Sequence, residues 1–395
     1  MTATHRLDHD DSLLLAFTAC VVAHGALGGA PSVVLDRSAF YPEGGGQMAD
    51  HGELAGARVV DVQVDDDGVV HHRLEGALPD IGAEVAGTID RARRRAHSAL
   101  HTGQHMLSRA LEDVAGGATV SARLGEAACT IDLDKETVDE AKVAAAEALV
   151  NSVIDDDVTV RAYFPEAAEL ATLPLRRRPK VTDHVRVVVV GDFDVTPCGG
   201  THVTRTAQIG LVRVTGIERY KGKARVSFSA GTRARGELFG EAGVLRALGK
   251  QFTCGPDHVH AAVDKLRREL DGARHALGKA RGRVAESIAA ELVAAAIPGA
   301  PITAVVDDAP IEVLRAIATR ITQRPGGVAL LAGKDDDATP VLASRAADAT
   351  FDCGAFLKRA AQAAGGRGGG RPEHAEGRLP ARADWLAAAA AALAS

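Results

Sequence analysis

Three histidines recur at four-residue intervals in the segment "RRRAHSALHTGQHMLSRAL": His97, His101 and His105. Residues four apart lie on one face of a helix with Cβ atoms about 5 to 6 Å apart, so two imidazoles there can converge on one metal ion. A second pair with this spacing, Cys198 and His202, follows in "VTPCGGTHVTR". Because nitrogen and sulfur ligands together suit zinc, we expect a fold in which these two distant segments meet.

The spacing by itself leaves two questions open. His97 with His101 and His101 with His105 are equivalent pairs on a helix, so geometry does not choose between them. The alternative to a metal site is that Cys198 is a buried apolar residue and that the histidines form hydrogen bonds at the surface.

Composition and length restrict the class of protein. A chain of 395 residues predicts two to four domains. Five widely spaced cysteines do not suggest a disulfide framework. No apolar run reaches the roughly 18 residues of a membrane span, and acids precede the first apolar stretch, unlike in a secretory signal. We therefore expect a cytoplasmic protein.

The net charge of −6 counts against a generally basic, nucleic-acid-binding surface.

Hydrophobic periodicity predicts a multidomain α+β chain in four parts. Residues 1–90 read as a small, mainly antiparallel β module resembling a barrel, and residues 91–245 as an α+β domain. Residues 246–296 carry a long helical pattern with a coiled-coil seam, and residues 297–395 read as a small α/β domain. The seam suits either packing against the chain's own domains or a homodimer through the long helix or the C-terminal domain.

The segment "FYPEGGGQMADHGEL" lies between two strands of the β module. Its three consecutive glycines permit backbone conformations that other residues resist, so a tight loop that presents Gln47 is one interpretation. A bare hairpin loop is the other.

Four segments resemble, in chain order, successive motifs of the editing domain of alanyl-tRNA synthetase and of the free-standing alanyl-tRNA editing proteins. They are "HTGQHMLSRAL", "CTIDLD", "DVTPCGGTHVTRTAQIG" and "ERYKGKARVSFSAG". The glycine-rich segment of the β module is similar to the one that precedes this domain in those proteins. The tail "CGAFLKRAAQAAGGRGGGRPEHAEG" is similar to the end of the DHH-associated C-terminal domain of alanyl-tRNA synthetases. Residues 91–245 would then be the editing, or aminoacyl-tRNA deacylase, domain.

The resemblance implies a ligand set and a reaction. The family's metal ligands fall on His101, His105, Cys198 and His202, which implies one zinc ion per chain and makes His97 a bystander. The implied reaction is hydrolysis of the ester that joins a wrong amino acid, chiefly serine and then glycine, to tRNA(Ala). About ninety residues precede the expected helix with the three histidines and leave no room for an adenylation domain. We therefore expect editing in trans without tRNA charging. Neither "LDHDD" nor "TDHVR" is a DHH phosphoesterase motif.

Recognition of serine requires a partner for its hydroxyl, because that partner would be left unpaired with alanine. Gln47, Thr102, Gln104 and Thr130 are the catalytic-site candidates for this role. Zinc can polarise the carbonyl, acidify water or hold the tRNA 3′ end, and the sequence does not decide among these roles.

Contacts with RNA are expected from local basic clusters. These are Arg91 with Arg93, Arg94 and Arg95; Arg176, Arg177 and Arg178 with Lys180; Lys221 and Lys223 with Arg225; and Arg367 with Arg371. The last pair belongs to "GGRGGGR", which suits either a flexible linker or a phosphate-binding loop.

Two rival functions remain. One is a non-catalytic tRNA-binding protein in which zinc only stabilises the fold. The other is a deacylase for a different aminoacyl-tRNA, such as a threonyl-type editor with a related histidine and cysteine motif.

Overall fold

A computed structural model describes residues 2–179, 184–333, 338–381 and 383–394. The chain divides into two compact units, Met1–Ala247 and Leu248–Ser395. Among the described residues, no helix combines the length and apolar character that crossing a membrane requires.

The first unit begins with short strands and one helical turn. Their bounds are β1 (His5–Arg6), α1 (Leu7–Asp10), β2 (Ala16–Leu27), β3 (Ala30–Leu35), β4 (Arg37–Ser38), β5 (Gly52–Leu54), β6 (Ala57–Val64), β7 (Val70–Glu75) and β8 (Glu84–Ile89). Six of these strands close into a barrel in the order β2-β3-β7-β6-β5-β8, while β1 and β4 pair in parallel. Along β8, buried positions such as Val85 and Ile89 alternate with exposed ones, as expected when one face of a strand lines the barrel core.

The histidine segment forms α2 (Arg91–Ala115). Asp90 caps its N-terminus by accepting hydrogen bonds from the backbone N–H groups of Ala92 and Arg93 at 2.8 and 3.1 Å. Gly116 ends the helix in the left-handed conformation, with φ 64°. The apolar face of α2 packs into a core that includes Leu107 and Ile131.

The rest of the first unit consists of two antiparallel sheets and their helices. The elements are β9 (Thr119–Leu124), β10 (Cys129–Leu133), α3 (Glu140–Asp155), β11 (Val160–Tyr163), α4 (Ala167–Leu170), β12 (Val187–Val190), β13 (Asp194–Pro197), β14 (Val212–Tyr220), β15 (Lys223–Ala230) and α5 (Gly231–Phe252). The sheet orders are β14-β15-β10-β9 and β11-β12-β13. The division between the two units falls within α5.

The second unit builds a five-stranded sheet after a long helix. Its elements are α6 (Val259–Ala294), β16 (Ile302–Val305), α7 (Ile311–Thr322), β17 (Val328–Ala332), β18 (Ala338–Arg345), α8 (Cys353–Ala363), β19 (Arg367–Gly370), β20 (His374–Pro380) and α9 (Trp385–Ala394). The strand order is β16-β17-β18-β20-β19, and among the described residues of this sheet only the β16–β17 pair is parallel. All five residues of β17 are buried, because one face of the sheet meets Phe356 and Trp385 and the other meets Ile317 and Ala285.

The mixed α+β architecture over several sheets is confirmed, but the linker interpretation of "GGRGGGR" is wrong. Arg367–Gly370 pair with β20 as an antiparallel edge strand. The glycines permit this close packing, since a Cβ at Gly368 would lie 3.2 Å from Leu357 Cγ and 3.3 Å from Gly377 Cα.

Candidate metal centre

Four side chains from two distant segments meet in the first unit: His101, His105, Cys198 and His202. One ligand atom from each lies within 4.8 Å of all the others. The Cys198 Sγ is 3.5 Å from His101 Nε2 and 3.4 Å from His202 Nε2. His105 lies beside both other histidines, with ring centroids 4.9 Å and 4.8 Å apart. We call these four residues the metal cluster.

The local fold explains why the cluster forms. Two of the histidines share a face of α2, whereas Cys198 and His202 lie in the loop that follows β13 at Pro197. Gly200 lets this loop approach α2 closely, because a Cβ there would overlap the His101 ring. The Gly200 N–H donates to Cys198 Sγ at 3.3 Å, which turns the sulfur toward the histidines.

Gln47 determines the orientation of His101. Its Nε2 donates to Thr201 Oγ1 at 2.9 Å, and its Oε1 accepts from the Thr201 backbone N–H at 3.2 Å, which settles which end of the amide is oxygen. The same Oε1 lies 2.7 Å from His101 Nδ1, so this nitrogen must carry the proton. His101 therefore presents the lone pair of Nε2 to the cluster.

Thr102 determines the orientation of His202 in the same way. Its hydroxyl donates to the Ser98 carbonyl oxygen at 2.8 Å and accepts from the Val203 N–H at 3.2 Å. Since its only proton is used, Thr102 Oγ1 must accept from His202 Nδ1 at 3.1 Å. The Nε2 lone pair of His202 therefore also points toward Cys198.

His105 contributes an unpartnered polar atom. Its Nδ1 is buried and lacks a hydrogen-bond partner among the described residues. The nearest carboxylate, Asp194, is 3.9 Å away and is itself bound to Arg176 Nε at 2.9 Å. A buried polar nitrogen without a partner costs free energy.

Burial keeps the three imidazoles neutral. It lowers the pKa of His101 to about 3, with Arg177 and Arg186 as smaller causes, and the pKa values of His105 and His202 also lie well below 6.5. Burial raises the pKa of the Cys198 thiol. Three neutral imidazoles and one thiol, which loses its proton on metal binding, are a donor set that fits zinc.

The four catalytic-site candidates lie in different surroundings. Gln47 and Thr102 touch the cluster, but their polar groups are engaged in orienting its histidines. Gln104 is buried on α2 and donates to Ser108 Oγ at 2.7 Å. Thr130 lies on β10 opposite the face that carries Cys129 and Ile131 into the core, so it points away from that core.

The basic candidates are mostly exposed. Arg95, Arg177, Lys221, Arg367 and Arg371 are exposed and Lys223 is half-buried. Arg94 is only 2% exposed, because its guanidinium binds Asp50 and the carbonyl oxygens of Ser12 and Ala39. Arg94 therefore cannot present its charge to RNA. Lys180 lies outside the described residues.

Sequence reasoning missed several residues that support the cluster. They are Ser98, Arg186, Asp194, Gly200 and Thr201, together with Arg176, which was expected only as an RNA contact. Gly200 and Thr201 stand inside the "CGGTH" motif, which was a usable signal. The only sequence signal for Arg186 was its position, as a charged residue directly before the apolar run "VVVV".

Comparisons with known families agree with the motif order. The model described as "Threonyl and Alanyl tRNA synthetase second additional domain" matches residues 185–227. The model "tRNA synthetases class II (A)" matches residues 16–93, and the DHHA1 domain matches residues 299–395. The resemblance inferred from the motifs is confirmed.

Two individual relatives agree with these family matches. The chain is 32% identical over 401 residues to an alanine–tRNA ligase of Halorubrum lacusprofundi, a match that covers 95% of this chain and 42% of that protein. It is 35% identical over 210 residues to the alanyl-tRNA editing protein AlaX-L of Pyrococcus horikoshii, covering 51% of this chain and 52% of that protein. The chain thus spans about half or less of the length of these relatives.

Among solved structures, the C-Ala domain of Aquifex aeolicus alanyl-tRNA synthetase is 22% identical. That match covers 23% of this chain and 84% of the domain, with a TM-score of 0.22.

Proposed function

We propose that this chain is a trans-editing aminoacyl-tRNA deacylase that hydrolyses mischarged tRNA(Ala), chiefly seryl-tRNA(Ala) and then glycyl-tRNA(Ala), with one zinc ion in the metal cluster. The observation that carries the proposal is the convergence of three neutral imidazoles and one thiol within 4.8 Å. The match to the second additional domain and the similarity to an alanyl-tRNA editing protein support the substrate class.

The chain's own residues would bind and orient the reacting groups. A zinc ion held by His101, His105, Cys198 and His202 would supply Lewis-acid chemistry to a water or to the ester carbonyl. Gln47 and Thr102 would fix the two histidine tautomers, which is the usual role of groups that bind the second nitrogen of a ligand histidine. A cavity of about 510 Å³ reaches His202 and offers space for the aminoacyl end of the tRNA.

Selection of serine over alanine would depend on a polar partner for the serine hydroxyl. The hydroxyl of Thr102 is saturated, so we do not assign it this role. Gln47 has one amide hydrogen beyond its bond to Thr201 and is the candidate next to the cluster. Gln104 and Thr130 remain weaker candidates.

The partner would be tRNA(Ala), approached by the exposed basic groups. We assign RNA contacts to Arg95, Arg177, Lys221, Lys223, Arg367 and Arg371. We also retain the division into a β module (1–90), an editing domain (91–245), a long helix (246–296) and a DHH-associated domain (297–395). A homodimer through the long helix or the C-terminal domain and a cytoplasmic location complete the proposal.

A second candidate function is favoured by the closed form of the cluster. Four protein ligands would complete a tetrahedral zinc site, as in proteins where zinc only stabilises the fold. A non-catalytic tRNA-binding protein is therefore the main alternative. The family description also names threonyl-tRNA synthetase, which keeps a threonyl-type editor as a third candidate.

The test measures serine release from seryl-tRNA(Ala) beside alanyl-tRNA(Ala) and seryl-tRNA(Thr), using wild type and Cys198→Ala. We expect fast release from seryl-tRNA(Ala) only, abolished in the folded variant. Tight tRNA binding without release from any substrate would overturn the deacylase in favour of the binding protein. Faster release from seryl-tRNA(Thr) would favour the threonyl-type editor.

A further inference from the structure

We propose that Arg186 is a positioning residue that holds the loop from Cys198 to His202 in the shape that metal binding requires. The inference rests on the metal site of the proposed function. Arg186 directly precedes β12 and is only 5% exposed, although its side chain is a guanidinium that water would solvate strongly. Its burial therefore calls for specific partners.

Those partners are backbone oxygens of the metal loop. Arg186 Nη1 donates to the carbonyl oxygens of Gly200 at 2.8 Å and Cys198 at 3.2 Å. This one nitrogen thus holds the peptide group that follows Cys198 and the peptide group that follows Gly200. Because the Gly200 N–H in turn donates to Cys198 Sγ at 3.3 Å, fixing this backbone also fixes where the sulfur lies.

The other side of the guanidinium binds the N-terminal turn of the chain. Arg186 Nε donates to the His9 carbonyl oxygen at 3.3 Å, and Nη2 donates to Ser12 Oγ at 3.4 Å. His9 Nε2 adds a direct hydrogen bond to the Gly199 carbonyl oxygen at 3.1 Å. The metal loop is therefore held between α2 on one side and residues 9–12 on the other.

The same contacts shape the cavity beside the cluster. Arg186, His202 and the turn from His9 to Leu13 all line it. No carboxylate lies within ion-pair distance of Arg186 among the described residues, so the carbonyl oxygens are its principal hydrogen-bond acceptors. A lysine in this place would keep the charge but lose the planar fork that reaches two segments at once.

Arg94 provides a matched control. It is a second buried arginine of the same unit and also holds the N-terminal turn, donating from Nη1 to the Ser12 carbonyl oxygen at 2.8 Å. It binds Asp50 rather than the metal loop. Loss of either arginine should lower stability, but only loss of Arg186 should disturb the metal loop.

The experiment measures metal affinity in the full chain. Zn²⁺ is titrated in competition with a chromogenic chelator, and Co²⁺ is titrated while its thiolate absorption is recorded, for wild type, Arg186→Met, Arg186→Lys and Arg94→Met. We expect Arg186→Met to bind metal about 10- to 100-fold more weakly with an altered Co²⁺ spectrum. Arg186→Lys should lie in between, and Arg94→Met should melt earlier with wild-type metal affinity.

Wild-type metal affinity and spectrum in a folded Arg186→Met or Arg186→Lys variant would overturn the inference. So would an equal loss of metal affinity in Arg94→Met, because the effect would then follow general destabilisation. These readouts need no tRNA. A wild type that binds zinc without releasing serine would overturn the proposed deacylase and leave the role of Arg186 intact.

Discussion

The two longest helices, α2 and α6, differ in the number and kind of residues that they bury. Within its 25 residues α2 buries several polar side chains, among them His101, Thr102 and His105. Within its 36 residues α6 buries only Val259, Ala285 and Ala289.

The difference lies in what the surroundings offer. On α2, hydrogen bonds with Gln47, Ser98 and His202 offset the cost of removing polar groups from water. On α6, the seam residues Leu266, Leu270, Leu277 and Val284 are each about half exposed. Buried polar groups with hydrogen-bond partners therefore mark the candidate site. The exposed apolar groups of α6 mark a surface that the described residues leave partly uncovered.

The largest expected effect comes from removing the sulfur of the metal cluster. Cys198→Ala should abolish tight zinc binding and reduce deacylation by more than about 100-fold, because one of four ligands is lost. Metal titration and serine release measure both effects. Cys129→Ala is the control, since Cys129 is a buried cysteine of the same unit whose Sγ contacts the Gly125 carbonyl oxygen. Equal losses in both variants would show that burial, not ligation, matters.

A comparison of Thr102→Val with Thr206→Val separates the effect of a hydroxyl on histidine orientation from its effect on the stability of the fold. Thr102→Val and Thr206→Val each remove a buried hydroxyl that bonds to a backbone carbonyl, so each should cost about 1–3 kcal/mol in the free energy of unfolding. Only Thr102 also bonds to a cluster histidine. Metal affinity should therefore fall about 10- to 100-fold in Thr102→Val alone. Denaturant unfolding and zinc competition are the measurements, and unchanged zinc affinity in Thr102→Val would contradict the orienting role.

Glycines inside the two helices should respond in opposite directions. A Cβ at Gly103 on α2 would lie 3.0 Å from both Ala230 Cβ and Val212 Cγ2, so Gly103→Ala should destabilise the first unit by about 1–3 kcal/mol. A Cβ at Gly278 on α6 would meet nothing within 4 Å, so Gly278→Ala should stabilise the helix by about 1 kcal/mol. Thermal and denaturant unfolding measure whether the free energy of unfolding falls, as expected for Gly103→Ala, or rises, as expected for Gly278→Ala. A destabilising Gly278→Ala would mean that this face of α6 is covered.

The smallest expected effect concerns the α6 seam. Leu277, which is 50% exposed, should tolerate Leu277→Gln within about 0.5 kcal/mol in a monomer. Sedimentation and melting at several protein concentrations provide the readout. A lower mass in the variant than in wild type would instead identify the seam as the homodimer contact.

The sequence predicted the long helices well and one short strand not at all. The segment with the three histidines was expected to be helical and forms α2 (Arg91–Ala115). The long helical pattern of residues 246–296 forms the end of α5 and then α6 between Val259 and Ala294. Both patterns are local and extend over many turns. The strand β19 was missed because glycine has low strand propensity, and pairing with β20 supplies its stability.

The candidate site was predictable only in part. The spacing of the α2 histidines and of Cys198 and His202 could be read directly from the sequence. Residues four apart share one face of a helix, and the same interval between Cys198 and His202 identified them as a second pair of ligand-type residues. Spacing did not choose between His97 and His105. The structure brings His105 to the other three residues and leaves His97 half-buried outside the group.

By itself the sequence determined the residue types of the metal cluster, their paired spacing and the helix that carries two of them, since each follows from neighbours a few positions apart. Only the tertiary structure decided which nitrogens face the sulfur. Gln47 and Thr201 are 154 positions apart, and Arg186 and His9 are 177 positions apart. Hydrogen bonds over such separations depend on how the barrel, α2 and the β13 loop pack together, which no local pattern records.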